Sequence, residues 1–502
     1  MEENTKNRIA YANNLKPLNF NVIISSPIDN NVNIKSILNL HPYIYDQKVD
    51  CGNGKAIISG KIGLKVLYID TDNMTNTLTA FSNFSETFVD NLITTDTHLN
   101  IFNTSVTHTL LSADSSLKVS CEIVISPIAY LNLGLSTELN ESEMLVTKKK
   151  EISTTTIKNF INTQFEYATN LETKDNINKI LCSHNHLTPE KVVADNGFIV
   201  VEGKILSSVV YETQNQDETL IKEIKEISNF KCDVEVSGVE QDELLDLSFC
   251  LDNENENIST EVENDLNSIL IKHTIKVCGI SLKPIKLEVV DDLFSTTHEI
   301  DISASNRECS RNAERFALSE VVSNEITLSK EETAIDDVIA NMNISPEITN
   351  TYIKEDFIYI EGIITSNLSY VDENKEYKTK TVEIPFIINS KINASNLGCT
   401  HHTISILDSK VKVKRGTIIE LEYSIFITLT IYEKENHQII DNFTLGKPLN
   451  FGNYDFQIFI AKPEETIWDL CKRTKISPND ITKYNKDLPL VCSGGERIVI
   501  RR

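Results

Sequence analysis

The chain reads as mainly β with a small α+β tail: three tandem β-rich domains, each with a short helix, then a βααβ unit. Three observations predict this. A Gly-x7-Tyr strand recurs three times, and an apolar stripe ending in proline precedes each copy. The last fifty residues then run strand, helix, helix, strand.

The repeated strand lies in Lys55–Asp70, Phe198–Thr213 and Phe357–Asp372, with Gly60 and Tyr68, Gly203 and Tyr211, and Gly362 and Tyr370 always eight positions apart. At a period of two, each Gly and its Tyr share one face. Ile58, Ile62, Leu64 and Val66 share it in the first copy. Ile199, Val201, Ile205 and Val209 do so in the second, and Ile358, Ile360, Ile364 and Leu368 in the third. The other face carries Lys61, Lys65, Glu202, Lys204, Glu361 and Asn367. This is the alternation of a half-buried antiparallel strand. Such a glycine marks a bulge or a close backbone approach.

The preceding stripes are Ile34, Ile37 and Leu38; Ile177, Ile180 and Leu181; and Ile335, Val338 and Ile339. Spacing of i, i+3, i+4 predicts a short amphipathic helix, which Pro42, Pro189 and Pro346 would end. Each copy closes with a β-rich stretch, Leu117–Ile125, Ile269–Ile280 and Ile418–Tyr432. The expected domains are residues 16–135, 153–302, 317–452 and 453–502, with linkers near 136–150 and 303–315. The acidic, Asn-rich run 252–264 reads as a solvated loop.

In the tail, Phe456–Ile460 is the first strand. Ile467, Leu470 and Cys471 form a helical stripe beneath Trp468. Ser477 is an N-cap, Pro478 the first helical residue and Asp480 the third. Ile481 and Tyr484 make the inner face of a second helix, and Gly494-Gly495 turns into a closing strand carrying Ile498 and Ile500.

At 502 residues and 40% hydrophobic content, the chain can bury several cores. A net charge of −25 argues against nucleic acid and anionic lipid as partners. Nine Lys/Arg against seven Asp/Glu give residues 453–502 a charge of +2, leaving −27 on the rest. The ten cysteines form no Cys-x-x-Cys pair and read as reduced thiols of a cytosolic protein. The first residues lack the pattern of a signal peptide, and no apolar run approaches the roughly 20 residues of a membrane helix. Catalytic signatures are missing too: there is no Gly-x-Ser-x-Gly, no Walker loop and no His-Glu-x-x-His. Cys182, His184 and His186 have no second ligand pair, and His401-His402 reads as a polar loop pair. The expectation is a chain without enzymatic activity, cofactor or metal.

The tail resembles a LysM domain. Glu465-Thr466-Ile467-Trp468 matches the family's Asp-Thr-Leu-Trp, Leu470-Cys471-Lys472-Arg473 its Ile-Ala-Lys-Arg, and Gly495-Glu496-Arg497-Ile498-Val499-Ile500 its closing strand; Tyr484-Asn485 ends the second helix. LysM domains bind N-acetylglucosamine polymers between the first loop and the loop after the second helix. This chain departs from the pattern there. Glu464 and Lys475 replace two family glycines, and Lys486-Asp487-Leu488-Pro489-Leu490 is an unusually apolar loop. These departures point to a protein partner.

Gly60-Lys61-Ile62-Gly63-Leu64-Lys65-Val66-Leu67-Tyr68 and Glu202-Gly203-Lys204-Ile205 carry a similarity of the repeats to SPOCS domains of spore-forming Firmicutes. Tandem SPOCS copies ending in one LysM domain resemble the SipL-type family of spore coat morphogenetic proteins. That resemblance implies a non-enzymatic scaffold in the mother-cell cytoplasm at the forespore surface. It would dock through its LysM domain onto the coat basement-layer ATPase, stage IV sporulation protein A. The residues expected to reach that partner are Ile467, Trp468, Lys472, Arg473, Leu488 and Leu490. The alternative is a peptidoglycan-binding protein using the same tail on cortex or cell wall. A wall hydrolase with a LysM targeting module is a third and weaker reading.

Overall fold

The computed structural model describes residues 8–27, 34–101, 104–113, 116–134, 144–215, 218–252, 257–263, 266–392, 397–451 and 456–501. The first copy contains β1 (Arg8–Asn14), β2 (Leu18–Pro27), β3 (Ile34–Gly52), β4 (Lys55–Asp70), β5 (Thr75–Val89), β6 (His98–Asn100), β7 (Thr104–Ala113), β8 (Ser116–Ile125) and β9 (Ile128–Gly134). The second contains β10 (Leu145–Thr173), β11 (Ile177–Asp195), β12 (Phe198–Asn215), β13 (Glu218–Glu235), β14 (Leu244–Leu251), β15 (Asn257–Glu263) and β16 (Leu266–Ser295). The third contains β17 (His298–Thr327), β18 (Ile335–Lys354), β19 (Phe357–Asp372), β20 (Tyr377–Lys391), β21 (Leu397–Lys414) and β22 (Ile418–Pro448). The tail follows with β23 (Phe456–Ile460), α1 (Ile467–Thr474), α2 (Pro478–Tyr484) and β24 (Arg497–Arg501).

Each copy packs one antiparallel sheet on another. The Gly-x7-Tyr strands β4, β12 and β19 are the middle strands of β3-β4-β5, β11-β12-β13 and β18-β19-β20. The opposing sheets are β10-β16-β14 with β15, and β17-β22-β21. In the first copy this sheet is split into β2-β8-β7 and β1-β9-β6. The apolar residues flanking each Gly are buried, as the alternation requires. The glycines prove to be close-approach positions. Gly60, Gly203 and Gly362 sit opposite Phe84, Phe230 and Phe386 on the neighbouring strand, whose rings lie across them.

The short helices expected before these strands are not helices. Ile34–Gly52, Ile177–Asp195 and Ile335–Lys354 are strands throughout. Each begins with two β-bulges at matching places, at Ile34/Ser36 and Ile37/Asn39, Ile177/Lys179 and Ile180/Cys182, and Ile335/Asp337 and Val338/Ala340, with further register shifts later in each strand. A bulge adds one unpaired residue, so two in succession turn a period of two into a period of three. That spacing imitates a helical stripe. Pro42, Pro189 and Pro346 sit in these same strands, which are edges of their sheets, where a missing N–H is tolerated.

The bulges also close the assembly. Leu38, Leu181 and Ile339, the unpaired residues of the second bulges, are buried together in one cluster with Leu67, Val210 and Met342. Around it β5 packs on β11, β13 on β18, and β20 on β3. The same step taken three times returns to its start, so the copies form a ring about an approximate threefold axis. Hydrogen bonds cross the junctions: Ser369 Oγ donates to the Leu38 carbonyl at 2.9 Å, and Lys179 Nζ to that of Thr75 at 2.9 Å.

Further along the axis lies a second, polar meeting point. Tyr130 from the first copy and Tyr432 from the third both donate to Asp246 Oδ2 of the second, the former at 2.7 Å. His401 Nδ1 is 2.7 Å from Asp246 Oδ1, and its Nε2 is 3.1 Å from Ser248 Oγ. Asn100 Nδ2 donates to Ser248 Oγ at 3.0 Å. His401-His402 therefore belongs to strand β21, with His401 in the core, and is no loop pair. Burial pushes the Asp246 carboxyl up, but the His401 charge and the hydrogen bonds from His401, Tyr432 and Tyr130 outweigh it and hold the group well below the usual carboxylate range.

The two longest strand pairs, β10 with β16 and β17 with β22, continue past the ring. Beyond Leu282 and Glu433 no third strand pairs with them among the described residues. These two-stranded extensions pack together through Ile152, Leu287, Val289, Cys309 and Ile439, then Val290, Leu293 and Ile440. They form a stalk roughly 40 Å long at about 3.3 Å per residue. The linker expected at 303–315 is part of strand β17. A two-stranded ribbon buries only one face, so its sequence looks polar enough to pass for a connector. Of the expected linker 136–150, residues 145–150 belong to β10, and 136–143 fall outside the described residues. Likewise, 257–263 of the expected acidic loop form β15, while 253–256 and 264 fall outside the described residues.

Two outcomes test this account. In Gly203→Ala the new Cβ would lie 2.2 Å from the Thr188 carbonyl oxygen, so denaturant unfolding should show a loss of roughly 1–3 kcal/mol. Gly52→Ala, whose nearest neighbour is 3.8 Å away, should stay within about 0.5 kcal/mol. Asp246→Asn should lower stability at pH 7 by roughly 3–5 kcal/mol. Because the folded-state pKa of Asp246 is depressed, its contribution is complete above the unfolded value of about 3.9 and is lost as pH falls towards the folded value. Urea midpoints followed from pH 5 to pH 3 should therefore fall less steeply in Asp246→Asn than in the parent.

Candidate partner-docking site

The tail has the order read from the sequence, and its local chemistry explains each element. Thr466 caps α1: its Oγ1 accepts from the Asp469 amide at 3.1 Å, and the Asp469 carboxylate accepts from the Thr466 amide at 3.2 Å. This is a reciprocal capping box. Ser477 caps α2 by accepting from the Asp480 amide, with Pro478 in its first turn. Leu470, Cys471, Ile481, Ile498 and Ile500 form the core. Burial pushes the Cys471 thiol up to about 12, which leaves it an apolar filler. Tyr484, expected on the inner face of α2, is instead exposed.

Glu464 and Lys475 have φ of 61° and 59°, the left-handed region that glycine occupies most easily. Lys475 is the C-cap of α1. The loop before α1 and the loop after α2 are tied together by an isolated bridge between Thr466 and Val491, and by the Cys492 amide donating to the Glu465 carbonyl at 2.9 Å. Asn485 closes the free edge of β24. Its Nδ2 donates to the Val499 carbonyl and its Oδ1 accepts from the Val499 amide, both at 2.8 Å.

The expected partner-binding residues have been brought together only in part. Trp468 and Lys472 meet the chain's own stalk. Trp468 Nε1 donates to Asp292 Oδ2 at 2.8 Å, and Lys472 Nζ lies 2.7 and 2.8 Å from the two Asp292 oxygens. The indole packs edge-on against Phe294 at 5.3 Å between ring centres. Burial pushes the Asp292 carboxyl up, yet the bonds from Lys472 and Trp468 outweigh it and hold the group below its ordinary value. Arg473 makes a two-pronged contact to the buried Glu465, at 2.7 and 2.9 Å. That contact is the first cause holding Glu465 below its ordinary value. Ile467 and Leu488 pack on the tail core. Leu490 alone of the six presents a largely free apolar side chain, 81% exposed.

Sequence reading missed a different surface. Phe456, Ile458 and Ile460 on β23 are 59%, 66% and 52% exposed, while Phe459 faces the core. They lie opposite Arg501, Val499 and Arg497 of β24. The outer face of this sheet is thus an apolar strip with an arginine at each end. Phe456–Ile460 was legible as a strand, but five apolar or amide residues in a row do not reveal which face is covered.

Among the described residues no cluster of three or more His, Cys, Asp or Glu is placed to hold a metal ion, and no helix is long and apolar enough to cross a membrane. The nine cysteines that can be described carry free thiols. No family model matches the chain, and no curated protein or solved structure shows detectable similarity to it.

Trp468 is the single tryptophan, so intrinsic fluorescence reports directly on the clamp. Asp292→Ala should shift its emission to the red and raise amide exchange in α1. The expected cost is about 1 kcal/mol of docking free energy for charge-assisted bonds at a partly exposed site.

Proposed function

We propose that the chain is a non-enzymatic scaffold of the SipL type for spore coat assembly. Its three-copy ring and stalk hold a LysM-like tail for docking onto the coat basement-layer ATPase, stage IV sporulation protein A, at the forespore surface. The observation that carries this reading is the direction in which the tail is held. Its α1 face is clamped to the stalk through Asp292 and Phe294, which turns the apolar, arginine-flanked sheet face and Leu490 to solvent.

Three features support a protein partner over a glycan. The two loops that would border a sugar groove are bridged to each other. Glu464 adds a negative charge at a position where the family has glycine. Three exposed apolar side chains of the tail, Phe456, Ile458 and Ile460, lie elsewhere, on the sheet. A mildly basic tail on a strongly acidic body would also be drawn to an acidic surface more than the body is.

The test is capture of the purified ATPase by the full chain and by a chain ending at residue 452. The full chain should retain it and the shortened chain should lose it at least tenfold. Equal capture by both, or co-sedimentation of the full chain with purified peptidoglycan without capture of the ATPase, overturns the reading.

A further inference from the structure

The tail sheet has two edges, and only one is closed. Val499 turns its N–H and C=O away from β23, because both are bonded to Asn485. In an antiparallel pair both main-chain groups of a residue point the same way. Its opposite residue, Ile458, therefore turns its own N–H and C=O to the outside of the sheet. The rule extends to Phe456 and Ile460, two residues away on either side. At Ile460 the carbonyl is taken by Arg473 Nη2 at 3.1 Å. At Phe456 and Ile458 no hydrogen bond to the outward groups is made among the described residues. Among the described residues no strand other than β24 pairs with β23.

An open edge with an apolar face is a template for strand addition. Arg497 and Arg501 stand on that same face, the Arg501 guanidinium 5.8 Å from the centre of the Phe456 ring. Pairing with the same strand of a second copy would gather four arginines on one face, so charge disfavours that occupant. An incoming segment with acidic residues would complement them instead.

We infer that β23 is the docking edge of the tail: a partner protein adds an extended, acidic segment alongside Phe456–Ile458, bonding to the outward main-chain groups of Ile458 and setting its carboxylates towards Arg497 and Arg501. This rests on the reading of the tail as a docking module and names how it docks.

Two full-length variants test it. Ile458→Pro removes the outward N–H at an edge position where proline is compatible with the sheet. Arg497→Glu combined with Arg501→Glu reverses the charge and leaves the main chain intact. Unchanged Trp468 emission verifies that each tail is folded and docked. Capture of the coat ATPase should fall at least tenfold in both variants. A fluorescein-labelled peptide alternating Glu and Val should bind the parent chain at least tenfold more tightly than its Lys and Val counterpart, and should lose that advantage in the charge-reversed variant. If removal of the tail abolishes capture while both variants capture normally, strand addition is overturned and the docking role stands. If removal of the tail has no effect on capture, the docking role falls, and the peptide then decides the edge: equal or absent binding of the two peptides overturns it. Self-association in light scattering that Ile458→Pro abolishes would assign the edge to a second copy and overturn the inference as well.

Discussion

Asp246 is the point at which the three copies are obliged to agree. A carboxylate this deeply buried is costly unless it is paired and hydrogen-bonded, and the partners of this second-copy residue come from the other two copies: Tyr130 from the first, and His401 and Tyr432 from the third. No copy can satisfy it alone. Apolar packing of Leu38, Leu181 and Ile339 drives the ring together without direction, whereas the Asp246 contacts accept only one relative placement. The axis thus combines a non-directional attraction with a directional lock.

What the lock secures is mechanical continuity to the far end of the molecule. The stalk strands are not separate elements added to the ring. They are the same antiparallel strand pairs, β10 with β16 and β17 with β22, running on past the ring. Fixing the second and third copies at the axis therefore fixes the two ribbons against each other. That in turn places Asp292 and Phe294 where α1 can seat on them. The tail is held by a polar clamp at Asp292 and by Phe294, which is buried in the tail's own apolar cluster with Val146 packed beside it.

That division of the tail into a seated face and a free face reverses the functional meaning of several residues. Tryptophan and basic side chains at a helix surface read as contacts for a partner. Here Trp468 and Lys472 serve the chain's own architecture, and Arg473 neutralises buried Glu465 while covering the Ile460 carbonyl. The apolar residues left over, Phe456, Ile458 and Ile460, are on a strand whose exposure depends on which side of the tail the stalk occupies.

Much of the β framework was legible because it follows from strictly local rules. The Gly-x7-Tyr strands, their buried faces, the closing strands and the cap of α2 are fixed by alternation, by hydroxyl and carboxylate chemistry at a helix end, and by the space an opposing ring needs over a glycine. The amino-acid order also contained the bulged strands, but in a disguised form: Ile34, Ile37 and Leu38 have helical spacing because two inserted residues break the strand period, and only pairing with β4 reveals the insertions. The stalk was hidden for a related reason, since a ribbon with one covered face carries too few apolar residues to stand out from a linker. Sequence by itself thus determined the composition of the three copies and of the tail. Tertiary structure alone decided that the copies close into a ring, that His401 meets Asp246 across 155 positions of chain, and which face of the tail is left for a partner, because each of these depends on contacts between residues that no periodicity connects.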